Sequence, residues 1–126
     1  MLVSAEGPAD ADEVWRRYTS PSEWPAWAPQ ISTVDTADDP IRAGTTGVVR
    51  GPLLLRVPFR ILEVDPIGRR WVWRVGVGPI GVRMEHGVDT LPNGCRAWLR
   101  VHAPTLLVLP YQPLARLALR RVVAEG

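Results

Sequence analysis

His86 and Glu63 are the side chains of this sequence best suited to move a proton. His86 stands in the run "GVRMEHGVD" and Glu63 in "FRILEVD". An imidazole titrates near neutrality and a carboxylate can act as base or orienter, so a His and a Glu facing one space are candidate acid–base groups. Trp71 and Trp73 lie two apart in "WVWRV", and Met84 lies two before His86. Indole faces and a thioether suit a flat apolar ligand, while the indole N–H and the imidazole supply polar contacts. Three roles stay open for His86: a polar contact in a cavity, a satisfied core histidine, or a general acid or base.

Other chemistries lack their residues. The two histidines, His86 and His102, fall on opposite faces of their strands, and Cys95 is the lone cysteine, so the sequence offers no metal-ligand set and no internal disulfide. "GVGPIG" has no strand-to-helix context for a phosphate loop, and no serine sits in a nucleophile elbow. No cofactor is expected.

Composition narrows the partners. The 126 residues suit one domain spanning 1–126 with one core. All 15 basic residues are arginine, yet the formal net charge is only +2. Arginines pair off no further than "RR", so a nucleic-acid partner is not expected. The N-terminus lacks a basic segment followed by an apolar one, and the longest apolar runs, "PLLL" and "TLLVLP", are far short of the ~20 residues that span a bilayer. The expectation is a cytoplasmic protein without an integral membrane segment.

The elements that must position these side chains follow from periodicity. "LVSAE" reads as a first strand. "ADADEVWRRYTS" reads as a helix with Asp10 as cap, Glu13 completing a capping box, and Val14 and Tyr18 on one face. "SPSEWPAWAPQ" reads as a short helix opened by Ser20 and Pro21, bearing Trp24 and Trp27, and closed by Pro29. From Ile31 the period is two. Strands are expected in "ISTVDT", "TTGVVRG", "LLLRVPFRILEVD", "WVWRVGV", "GVRMEHGVD" and "CRAWLRVH". Pro58 within the third of these implies an edge or a bulge. A helix is expected from about Pro104, with Tyr111, Leu114, Leu117, Ala118 and Val122 as its apolar stripe and Pro110 and Pro113 near its start.

Parity then assigns faces. A turn centred between Gly78 and Pro79 pairs Trp73 with Met84 and Trp71 with His86. A four-residue loop over "LPNG" pairs His86 with Leu99 and Met84 with Val101. Val82, Met84, His86, Val88, Cys95, Ala97, Leu99 and Val101 then face inward with the tryptophans, and Arg74, Arg83, Glu85, Arg96 and Arg100 face outward. Trp98 is left on the outer face, to cover an apolar patch or meet a partner. The same scheme turns Phe59, Ile61 and Glu63 inward and puts Glu63 roughly 10 Å from His86, with Trp71 between them. That separation precludes a direct hydrogen bond, and the two would flank a ligand lying on the indole.

The stretches "ADADEVWRRYTSPSEWPAWAPQI", "EVDPIGRRWVWRV" and "MEHGVD" resemble the polyketide cyclase/dehydrase branch of the SRPBCC (START-like) superfamily, across nearly the whole chain. The resemblance implies an α+β helix-grip fold: a curved antiparallel sheet wrapped around a long C-terminal helix, enclosing an apolar cavity. Candidate ligand contacts are Trp27, Phe59, Ile61, Trp71, Trp73, Met84, His86, Leu99, Tyr111, Leu114 and Ala118, with His86 and Glu63 as candidate catalytic groups. The short final helix with its early prolines implies a smaller or more open cavity than usual. Two functions stay open: binding an apolar small molecule such as a polyketide, lipid or quinone, or cyclising or dehydrating a bound chain.

Overall fold

The computed structural model describes residues 1–76, 81–103 and 109–125. Strand β1 (Leu2–Gly7) leads into helix α1 (Ala11–Thr19). A single 3-10 turn (Pro21–Glu23) then runs into the short helix α2 (Trp24–Trp27). Strands β2 (Thr33–Thr36), β3 (Thr46–Arg50), β4 (Arg56–Asp65), β5 (Arg70–Val75), β6 (Val82–Leu91) and β7 (Gly94–His102) follow. Helix α3 (Gln112–Val122) closes the chain, entered through a 3-10 turn at Leu109–Tyr111. All strand pairs are antiparallel, in the order β1-β7-β6-β5-β4-β3-β2. One face of this sheet curls over the helices and carries the core. The expected α+β helix grip is the observed fold.

Register across β5, β6 and β7 is as parity requires. Trp71 opposes His86 and Trp73 opposes Met84. His86 opposes Leu99 and Met84 opposes Val101. The expected turn at Gly78–Pro79 lies outside the described residues. The loop at "LPNG" is shorter than expected, because the ladder continues to Leu91 opposite Gly94 and leaves only Pro92 and Asn93 as the turn. Cys95, Ala97, Leu99 and Val101 are buried, and Cys95 has no exposure at all.

Strand β4 departs from the expected pattern twice. It begins at Arg56, because Leu53 and Leu54 adopt left-handed backbone angles (φ 59° and 64°) that end strand pairing. Its register then slips between Ile61 and Glu63, so that Glu63 opposes Val72 and Val64 opposes Trp71. One extra residue in a strand turns every later side chain to the other face. Pro58 is neither on an edge strand nor in this bulge. Its carbonyl accepts from Gly76 N–H just past the last β4–β5 pair, Phe59 with Val75, where its missing N–H breaks no rung.

The helices show which local signals were obeyed. Asp10 caps α1, accepting from the Asp12 N–H. The box is not closed: Glu13 turns instead to Arg16 and Arg17. Val14 and Tyr18 are buried as their spacing demands. Arg17 reaches the last turn of α3 and donates to the Val122 and Ala124 carbonyls at 2.8 and 2.7 Å. This caps carbonyls that the helix leaves unpaired and ties its C-terminus to α1. The start expected near Pro104 lies outside the described residues. Along α3 the buried side chains are Ala115, Ala118, Leu119 and Val122, while Leu117 faces solvent. Ala118 and Val122 belong to both sets, and the buried stripe is rotated from the expected one by about a sixth of a turn.

Candidate ligand cavity

A cavity of about 390 Å³ lies between the concave face of the sheet and helices α2 and α3. Its inner wall is aromatic. Trp71 and His86 face each other across the β5–β6 pair, with rings stacked at 4.4 Å and 8° apart in plane. Trp24 also stacks with Trp71, at 5.5 Å and 20°. Trp73 meets Trp24 edge-on at 5.3 Å. Tyr18 sits edge-on to Trp27, Trp71 and His86. These offset and edge-to-face contacts match the quadrupoles of the rings, so the wall is rigid as well as apolar.

Polar atoms in this wall divide into two groups. Trp24 Nε1 donates to the Tyr18 carbonyl at 2.9 Å, Trp27 Nε1 to the Arg17 carbonyl at 3.4 Å, and the Tyr18 hydroxyl to the Gly87 carbonyl at 3.3 Å. These three groups are spent on structure. Trp71 Nε1, Trp73 Nε1, both ring nitrogens of His86 and Gln30 Oε1 are buried without a hydrogen-bond partner among the described residues. All four of those residues line the cavity. Near the α3 side, Gln30 Nε2 donates to the Tyr111 hydroxyl at 3.1 Å. Buried polar atoms are nearly always paired, so a cluster left open in one apolar cavity marks where an occupant's polar atoms would go.

The electrostatics are those of a neutral site. Burial pulls the His86 imidazole down to about 3, so it is uncharged at neutral pH. Burial likewise raises the Tyr111 hydroxyl, against the opposing hydrogen bond from Gln30. Among the described residues no carboxylate lines the cavity.

Nine of the eleven expected contacts line this space: Trp27, Trp71, Trp73, Met84, His86, Leu99, Tyr111, Leu114 and Ala118. Phe59 and Ile61 do not. Both are buried in the core, with Phe59 packed against Trp24 and Trp73. Glu63 requires the larger correction. The β4 bulge turns it to the convex face, where it pairs with Arg70 at 3.1 Å, so it cannot flank a ligand with His86. Sequence reasoning missed Trp24, Gln30 and Leu119 as lining residues. Gln30 carried a usable signal, a lone polar side chain just after the Trp-bearing helix.

Trp98, expected on the outer face, is there but not free. Its indole lies on Gly87 of the neighbouring strand, where a Cβ would come within 2.2 Å of the Trp98 ring. Arg100 sits over the same ring at 5.7 Å. The patch it covers is thus its own strand neighbour.

Solved structures share this architecture. A protein from Nitrosospira multiformis matches with TM-score 0.76 at 15% identity, covering 98% of this chain and 92% of that one. Ginseng major latex-like protein 151 from Panax ginseng matches with TM-score 0.76 at 13% identity, covering 97% and 93%. A protein from Thermobifida fusca matches with TM-score 0.72 at 20% identity, covering 95% and 89%. At such identities the likeness establishes the fold, a Bet v 1-like helix grip. No curated protein matches the sequence. A family model described as "Polyketide cyclase / dehydrase and lipid transport" matches residues 3–126, and the chain belongs to that family.

Proposed function

We propose that this chain is a single-domain binding protein for a neutral, largely apolar small molecule with a flat or cyclic body and at least one oxygen, in the manner of a polyketide, lipid or quinone. The observation that carries the reading is the set of unpartnered atoms at Trp71, Trp73, His86 and Gln30 in an otherwise apolar cavity. The apolar wall supplies affinity by burial, and the indole N–H groups and neutral imidazole select an oxygen-bearing ligand. A charged ligand end fits poorly, because among the described residues no ionised side chain lines the space to offset its desolvation. The lone buried thiol, Cys95, suits a reducing compartment such as the cytoplasm.

Within the same family, a cyclase or dehydrase is the competing reading. Proton transfer would fall to His86, which has no orienting partner among the described residues and a pKa far below neutrality. Binding is therefore the reading the side chains support better. Native mass spectrometry of freshly purified protein tests it. The expected result is a retained neutral metabolite, released on denaturation. A protein that carries nothing and takes up no apolar fluorescent probe would contradict the reading.

A further inference from the structure

The cavity holds a second polar station beside the indoles and the imidazole. Gln30, in the connection after α2, and Tyr111, at the entry to α3, both line it, and Gln30 Nε2 donates to the Tyr111 hydroxyl at 3.1 Å. The pair is not closed by that bond. Gln30 Oε1 receives no donor, and the Tyr111 hydroxyl proton meets no acceptor among the described residues. Turning the amide over exchanges the roles: Tyr111 then donates to the Gln30 oxygen, leaving an amide N–H and a phenol lone pair. Either way one donor and one acceptor stay open side by side. A hydroxyl meets both at once, because it donates with its hydrogen and accepts on its oxygen. A ketone or an ether meets only the donor.

The inner wall asks for the opposite. Trp71 Nε1 and Trp73 Nε1 can only donate, and neutral His86 adds one donor and one acceptor. Three donors against one acceptor suit an oxygen that only accepts, such as a carbonyl with its two lone pairs.

The two stations stand at different depths. Trp71 and His86 face each other four residues inward of Val75, whose rung with Phe59 ends the β4–β5 ladder. Gln30 lies past that end, beside the rim that Gly51, Pro52 and Leu55 of the β3–β4 turn make. A Cβ on Gly51 would come within 3.0 Å of the Gln30 carbonyl oxygen. At ~3.3 Å per residue, four residues of strand put the stations on the order of 10 Å apart. The lining between them is apolar, with Val57 and Val75 on the sheet side and Leu114 on the helix side.

From the open donor–acceptor pair at the rim and the donor-only indoles deeper in, and resting on the binding role stated above, we propose that the bound molecule is a hydroxy-ketone. Its carbonyl lies at Trp71 and Trp73, its apolar body fills the space between, and its hydroxyl is read by Gln30 and Tyr111. These two residues set specificity at the rim, where the indoles cannot reach.

Titration with 4-acetylbiphenyl and 4-acetyl-4′-hydroxybiphenyl tests the assignment. The two probes share a flat apolar body with a ketone at one end, and differ only by a hydroxyl at the other. Quenching of tryptophan emission reads the affinity of each. The parent protein binds the hydroxylated probe about fivefold more tightly. Gln30→Met and Tyr111→Phe keep the bulk of each side chain and each bring that preference below about twofold, while affinity for 4-acetylbiphenyl stays within about twofold of the parent. That retained affinity shows that both variants fold. Trp73→Phe weakens both probes alike and keeps the preference. Equal binding of the two probes by the parent, the result of a water filling the pair, would overturn the proposal and leave the binding role standing. So would a preference that survives both Gln30→Met and Tyr111→Phe. If neither probe binds saturably, the binding role falls and the proposal falls with it.

Discussion

The inner wall of the cavity and its rim are made of similar apolar residues under opposite rules. At the wall, Trp24 and Tyr18 are all but fully buried, each ring has several ring neighbours, and their N–H and O–H groups are paired. At the rim, Leu53, Leu54 and Leu55 stand out in solvent. The wall is paid for by packing. The rim contributes almost nothing to folding, so its residues are free to be chosen for what meets them from outside. Trp71, Trp73 and His86 lie between the two regimes, packed like core but holding polar atoms open.

Substitutions should separate these regimes. Trp24→Ala removes a fully buried indole and its hydrogen bond, and should cost about 3–5 kcal/mol in chemical denaturation. A cost below about 1 kcal/mol would mean the wall is not core. His86 gives a pH-dependent effect. Its folded pKa, about 3, lies below the ordinary value of 6.5, so the unfolded chain binds the proton more readily. The stability that comes from keeping His86 neutral is complete above about pH 6.5 and is lost as pH falls toward 3, by up to about 1.4 kcal/mol per pH unit. His86→Gln should flatten that slope, and an unchanged slope would assign it to other groups.

Gly87→Ala tests the convex side of the same strand. Its Cβ would meet the Trp98 ring at 2.2 Å, so a loss of about 1–3 kcal/mol is expected, partly restored by adding Trp98→Ala. Additive losses would show that the two residues do not crowd each other. At the rim, Leu53→Asn should change stability by less than about 0.5 kcal/mol. A large loss there would erase the distinction between rim and wall.

Much of the fold was legible because charge and periodicity agree. Along β5, β6 and β7, Arg74, Arg83, Glu85, Arg96 and Arg100 all fall outward when Trp71, Trp73, Met84 and His86 fall inward, and one register satisfies every strand. Strand β4 was not legible to the same degree. Its alternation holds through Phe59 and Ile61, then the bulge shifts parity and sends Glu63 outward to Arg70. The half-buried Val64 beside an exposed Glu63 is what a one-residue shift would require. The helix stripe departs at one position, Leu117, for another reason. Leucine at 114 and 117 outweighs alanine at 115 in any hydrophobic count, yet a helix close against a sheet prefers the small residue, and Ala115 and Ala118 are buried where Leu117 is not. The open polar atoms could not be read at all from sequence, because they depend on which indoles find a carbonyl.

The most direct test of the cavity's chemistry compares two ligands of one shape. α-Tetralone and tetralin share a fused bicyclic skeleton and differ in one carbonyl oxygen. Titration of each, followed by quenching of tryptophan emission, reads burial and hydrogen bonding separately. Both should bind saturably, the ketone more tightly by about 1 kcal/mol for one neutral hydrogen bond, and Trp73→Phe or His86→Leu should narrow that difference. Equal affinity for the two, or no saturable binding of either, would contradict a cavity built to hold an oxygen-bearing apolar molecule.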